Sequence, residues 1–222
     1  YELTINTQGE GSVAEEVVQA KSYDHGTQVR LTANPAEGWQ FVEWTGDITG
    51  SENPAQITVN NPKEVTAVFE KKSYDLTINT TGEGAVSEEV IQAKSTNYDH
   101  GTTVQLTANP AEGWKSVEWQ GAVTGHDNPV QVTVDSPKEV TAVFERKSYS
   151  LATNMTGEGS IDTSPNQSEY DYGTSVDLTA SPADGWKFVR WEGDVTGTSN
   201  PVQITIDNSK GVTAVFEKRS YD

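Results

Sequence analysis

The sequence predicts an all-β protein made of three tandem repeats arranged as an elongated rod. Three observations carry that prediction. The string Tyr-x-Leu opens at Tyr1, Tyr74 and Tyr149, and each time it runs into Gly-Glu-Gly, so the chain holds three copies of one unit, 1–73, 74–148 and 149–220. Apolar and polar residues alternate in short runs, which is the period of a half-buried strand. Clusters of Gly, Pro and Asn separate those runs, and these are the residues that tight turns require.

In the first copy Leu3 and Ile5 point one way and Glu2, Thr4 and Asn6 the other, giving a first strand. Gln8-Gly9-Glu10-Gly11 follows as a turn, with Gly9 and Gly11 expected to supply the positive φ of a tight hairpin. The stretch from Ala14 to Lys21 has the composition for two helical turns. Its counterpart in the third copy, Asp162 to Gln167, contains Pro165 and is poor for helix, so an irregular strand or loop is expected. Val29, Leu31 and Ala33 form an inward row that Pro35-Ala36-Glu37-Gly38 stops. Trp39 to Thr45 reads as another strand, whose simple alternation sets Trp39 with Phe41 on one face and Val42 with Trp44 on the other. After the loop from Gly46 to Pro54 come Ile57 and Val59, a turn at Asn60-Asn61-Pro62, and a last strand through Val65, Ala67 and Phe69. About six short strands per copy make an all-β unit, and a small β-grasp-like α+β unit is the alternative if the helix forms.

Between copies there is almost no linker. Phe69-Glu70-Lys71-Lys72-Ser73 runs straight into Tyr74-Asp75-Leu76, without the Gly/Ser or Pro-rich stretch that gives free swivelling or a spacer. Compact-domain scaling makes each unit about 30 Å across and an end-to-end array about 90 Å long. Units of this size bury a modest core, so neighbours are expected to support one another.

Composition then narrows the function. With 15 Lys+Arg against 33 Asp+Glu the formal charge is −18, which repels phosphate backbones and anionic headgroups, so no nucleic-acid partner is expected. The chain has no cysteine, which removes disulfides, thiolate metal sites and a Cys nucleophile together. No apolar run approaches the roughly 18 residues of a membrane span, so no membrane insertion is expected. The opening Tyr1-Glu2-Leu3 lacks an initiator Met and a signal-peptide profile, and Tyr221-Asp222 restarts the motif, so a piece of something longer is expected, cut from an array or from a boundary where another unit begins.

The order of motifs carries a family resemblance. Tyr23-Asp24-His25-Gly26-Thr27, Leu31-Thr32-Ala33, Pro35-Ala36-Glu37-Gly38-Trp39, Val42-Glu43-Trp44-Thr45-Gly46-Asp47, Asn53-Pro54 and Val65-Thr66-Ala67-Val68-Phe69 recur with little change in all three copies. This pattern resembles the divergent internalin-B B-repeat family of bacterial secreted and surface proteins. The resemblance spans essentially the whole chain. It implies an extracellular or cell-surface accessory region, found beside adhesin domains and carbohydrate-active enzymes, with no catalytic residues to carry over. Departures fall at Ser116 and Ala122, where the pattern has Phe and Asp, and at Arg190, where it has Glu.

Internal repetition also tests candidate chemistry, because a residue that works in every unit should appear three times. His25 and His100 invite a general base or metal ligand, yet the third copy has Tyr172 there, and His126 lies in a loop matched by Glu52 or Ser199; all read as solvated turn residues. Glu43 and Asp47 suggest acid/base work, but the second copy keeps only Glu118 and the third only Asp194. Asp47, Glu52 and Asn53 share a loop that could offer oxygens to calcium, yet Ca²⁺ takes six to eight ligands and the other two loops offer unequal carboxylate sets. No catalytic residue, metal or cofactor is therefore expected, and the acids read as a soluble surface.

Six tryptophans remain, two per copy. Val42 and Trp44 recur unchanged, as a core requires, whereas the partner of Trp39 changes from Phe41 to Ser116 to Phe188. Trp39, Trp114 and Trp186 are thus the candidates for partial exposure and for a row of stacking platforms. Several weak platforms on one stiff rod would give avidity for a polymer, and the negative charge favours a neutral polysaccharide as partner. The leading expectation is a monomeric, non-catalytic stalk or spacer that presents flanking domains of a larger protein; a carbohydrate-binding module is the alternative, and a protein-binding adhesin a third.

Overall fold

In the computed structural model, which describes residues 1–17, 23–91 and 98–220, every regular element among the described residues is a strand. Repeat 1 contains β1 (Leu3–Gln8), β2 (Gly11–Val17), β3 (Thr27–Pro35), β4 (Trp39–Gly46), β5 (Ala55–Val59) and β6 (Lys63–Lys71). They form two three-stranded sheets, one ordered β1-β6-β4 and the other β2-β3-β5. The second sheet is antiparallel throughout, while in the first β1 runs parallel to β6 and β4 antiparallel to it. Repeat 2 follows the same plan with β7 (Leu76–Thr81), β8 (Gly84–Val90), β9 (Thr102–Pro110), β10 (Trp114–Gly121), β11 (Val130–Val134) and β12 (Lys138–Arg146). Repeat 3 adds two short strands, β13 (Ser148–Tyr149) and β16 (Tyr170–Asp171), to β14 (Leu151–Thr156), β15 (Gly159–Ser164), β17 (Thr174–Pro182), β18 (Trp186–Gly193), β19 (Val202–Ile206) and β20 (Lys210–Lys218).

Each pair of sheets closes on its own core. In repeat 1, Val29, Leu31, Ala33, Ile57 and Val59 from one sheet meet Trp44, Val65, Ala67 and Phe69 from the other, all buried. The inward rows are those the alternation predicts, and fully burying each of the larger side chains contributes about 1.5–3 kcal/mol. The stretch with helical composition is strand from Gly11 to Val17, paired with β3, and its remainder falls outside the described residues. Its counterpart in repeat 3 is strand as far as Ser164. The fold is therefore all-β, without the helix of the β-grasp-like alternative among the described residues.

Two local expectations are corrected. The turn after β1 does not close a hairpin, because β1 and β2 belong to different sheets and the turn carries the chain from one to the other. Gly9 has the expected positive φ of 84°, but Gly11 does not; it is glycine because a Cβ there would stand 2.7 Å from the Phe69 ring. The second correction concerns β4. A β-bulge between Phe41 and Glu43 leaves Val42 out of register with β6, so Trp44 lands on the same side of the sheet as Phe41, its ring centroid 5.1 Å away. Simple alternation had placed Trp44 with Val42. The extra residue shifts the phase, and Val117 and Val189 occupy the same place in the other repeats.

Candidate functional site

The bulge brings three aromatic positions of β4 toward the core. Trp44, Trp119 and Trp191 are at most 2% exposed, and each Nε1–H donates to a backbone carbonyl in the following loop, of Glu52, Asp127 and Ser199 at 2.8–2.9 Å. That loop is held from a second side by Asn53, whose amide donates to the Ala33 carbonyl at 2.8 Å and accepts from the Ala33 N–H at 2.9 Å. Asn128 and Asn200 make the same pair of bonds to Ala108 and Ala180. The Asn53 side-chain oxygen considered for calcium is thus engaged in tying loop to strand. Asp47 accepts from the Glu64 N–H at 2.7 Å and from Lys63 at 3.2 Å, and these bonds hold its carboxyl below the usual carboxylate range. Its equivalent Asp194 caps Gly211 in the same way, at 2.7 Å. Among the described residues no three His, Asp or Glu side chains gather to hold a metal.

Trp39, Trp114 and Trp186 open β4, β10 and β18, and all three are half-buried against their cores. A cation lies over each ring, Lys71 at 5.9 Å, Arg146 at 5.6 Å and Lys218 at 5.7 Å from the centroid. These are the direct cross-strand neighbours of the tryptophans in the ladder, so the contact follows from register. The ring edge also reaches the turn after β1, where a Cβ on Gly9 would stand 2.8 Å from Trp39.

Beside these tryptophans lies a feature that the sequence reading missed, the clasp between repeats. Lys72 donates its N–H to the Gly38 carbonyl at 2.8 Å, and its own carbonyl accepts from the His100 N–H at 2.8 Å. Ser73 bridges to Asp99, and Tyr74 N–H donates to the Tyr98 carbonyl at 3.1 Å. The second junction repeats the pattern with Lys147, Gly113 and Tyr172, and there β13 pairs with β16 through Ser148↔Asp171 and Tyr149↔Tyr170. The short connection is therefore pinned to the repeat on either side of it.

Side chains complete the clasp. His100 packs on Gly38 and Tyr172 on Gly113 so closely that any Cβ on either glycine would collide with the ring. The Tyr172 hydroxyl also donates to Glu112 across the junction at 2.7 Å, and that bond raises the tyrosine above its usual range. Both rings are half-buried, whereas His25, the same position in repeat 1, is exposed. Gly38 and Gly113 are buried and Gly185 is exposed. His100 and Tyr172 are thus junction residues and not the solvated turn residues that the sequence suggested. The only sequence signal was an aromatic ring after Tyr-Asp in each copy, and it cannot reveal a partner 60 residues earlier. His126 aligns with Ser51 and Thr198, one position before Glu52 and Ser199, and donates from Nδ1 to the Val117 carbonyl at 2.7 Å.

The profile of the divergent InlB B-repeat domain matches residues 1–73, 74–148 and 149–220. The chain belongs to that family. The three B-repeats follow one another with no unmatched residue between them, in keeping with the directly pinned connections. No curated protein sequence matches the chain. Among solved structures the B-repeat array is similar to the TIE protein of Bacillus anthracis, at 8% identity and a TM-score of 0.49, with 98% of this chain and 50% of that one covered. The array thus spans half the length of that protein. A second similarity is to the T-13 major pilin of Streptococcus pyogenes, at 13% identity and a TM-score of 0.19 over 91% of this chain and 70% of the pilin. No helix among the described residues is long and apolar enough to cross a membrane.

Proposed function

We propose that the three B-repeats act as a non-catalytic stalk, holding flanking domains of a secreted or cell-surface bacterial protein at a distance. The observation that supports this most directly is the clasp. Both junctions use the same backbone bonds, so each repeat is docked on the last by a connection that cannot swivel without breaking them. The acidic surface favours solubility of such an array.

Small-angle scattering tests the proposal. The expected particle is extended, about 90 Å long for three units of compact-domain size. A Gly38→Ala/Gly113→Ala variant should flex or shorten, because the new methyl groups collide with His100 and Tyr172. Gly185→Ala is the control, since its φ of 78° matches the 76° and 77° of the other two while nothing lies near its Cβ. A compact or freely flexing native chain would overturn the stalk.

A second reading, binding of a neutral polysaccharide, draws on the half-buried indole that each repeat presents at the same place. Affinity electrophoresis against neutral glycans, beside a Trp39/Trp114/Trp186→Ala variant, decides it. Retardation that the folded variant loses would support the reading; no retardation of the native chain would remove it.

A further inference from the structure

We propose that each repeat is a shear clamp that carries tension along the chain. This deepens the stalk reading and rests on it for its biological use. The strand by which the chain enters a repeat and the strand by which it leaves are direct neighbours and run parallel. In repeat 1 they pair over six residues, from Leu3↔Lys63 to Gln8↔Val68. Repeat 2 pairs Leu76↔Lys138 to Thr81↔Val143, and repeat 3 pairs Leu151↔Lys210 to Thr156↔Val215.

Geometry decides how such a pair meets a pull. Tension enters at the N-terminal end of β1 and leaves at the C-terminal end of β6, which lie at opposite ends of the shared ladder. The two strands are drawn past one another, and all their hydrogen bonds are loaded together. Each bond is individually weak, but none can fail before the others. Had the two strands been antiparallel, or pulled from the same end, the bonds would open one after another.

Three further features resist sliding. The exit strand β6 is the central strand of its sheet, bonded on its other side to β4. It carries Val65, Ala67 and Phe69, all buried, so it cannot move along its axis without dragging the core. A slip of one residue would turn that apolar row to the wrong face. Across the parallel pair, Asn6 donates to Glu64 at 2.9 Å and Asn79 to Glu139 at 2.8 Å, tying entry to exit strand in repeats 1 and 2. Repeat 3 has Gly211 where these have glutamate.

Pulling single molecules in two directions tests the clamp. The chain has no cysteine, so introduced thiols give unique handles. A Glu10→Cys/Lys72→Cys variant is held in one experiment by its two ends and in another by the two thiols. Residues 10 and 72 follow β1 and β6, at the same end of the parallel pair, so the thiols peel the ladder open. End-to-end pulling should unfold the repeats at several-fold higher force than thiol pulling unfolds repeat 1, at the same loading rate. Three unfolding events in the end-to-end traces establish that the variant is folded. Equal forces in the two directions would overturn the clamp and leave a passive spacer. A compact particle in scattering would overturn the stalk and leave the clamp as a property of the fold.

Discussion

Repeats 1 and 2 share every strand, every sheet order and the bulge in β4 and β10, yet they differ inside. Phe41 fills the angle between Trp44 and Phe69, with ring centroids 5.1 and 6.0 Å away, and in repeat 2 that place is Ser116. Asp47 caps the Glu64 N–H, and in repeat 2 that position is Ala122, which has no side-chain oxygen to cap with. Neither loss changes the register: Ser116 still pairs with Phe144, and the Ala122 N–H still donates to the Glu139 carbonyl at 2.8 Å. The backbone is thus set by what both repeats keep, namely the buried tryptophan, the loop asparagine and the apolar row of the exit strand. The half-buried aromatic and the exposed cap add stability to a fold already decided.

The largest way to break this comparison is to remove something shared. Trp119→Ala should cost about 3–5 kcal/mol, enough to unfold repeat 2, and loss of one repeat's unfolding transition in calorimetry checks it. Exchanging what differs should do less. Phe41→Ser should destabilise repeat 1 by about 2 kcal/mol and Ser116→Phe should stabilise repeat 2 by about 1 kcal/mol, read from urea midpoints of the two transitions. If both exchanges are neutral, the aromatic has no structural part and Phe41 does not distinguish the repeats.

A smaller effect is expected from Ala122→Asp, which restores the cap on the Glu139 N–H. Because the backbone bond and the lysine lower the pKa of Asp47, the stability it gives is present above the unfolded carboxylate pKa and is lost as pH falls through the folded one. Repeat 2 of the variant should therefore melt higher than wild type at neutral pH and match it in acid. The smallest effect is one the two repeats share. Tyr23 donates to Glu15 and Tyr98 to Glu88, both at 2.8 Å, and burial followed by that bond pushes both phenols up to about 12. Their contribution is present below pH 10 and is lost as pH rises toward 12. Ultraviolet titration should show both as late phenolates, alongside the raised Tyr172, and Glu88→Gln should bring Tyr98 down. Tyr170 in repeat 3 donates instead to the Pro165 carbonyl at 3.0 Å.

Much of this was legible in the chain. Three copies, their boundaries and the inward rows Val29-Leu31-Ala33 and Val65-Ala67-Phe69 follow from period-two alternation and repetition, because side-chain direction along a regular strand is a local property. Even the near absence of linker was visible. The phase of Trp44 was not, because one bulged residue inverts every later side chain and nothing in Phe41-Val42-Glu43 marks the insertion.

Sequence by itself therefore determined the β class, the repeat and the acidic charge, whereas the reasoning that separated the two tryptophans of each repeat rested on an alternation that the bulge overturns. Tertiary structure alone decided the rest. Gly38 and His100 lie far apart in the chain and meet only once two sheets have placed both at one end of adjoining repeats. The parallel pairing of entry and exit strands likewise depends on each chain segment changing sheets at the turns, so β1 and β6 become neighbours from opposite ends of a repeat. Local patterns specify which face of a strand is apolar; which strand it lies beside is fixed only by how the apolar faces of a whole repeat can be closed at once.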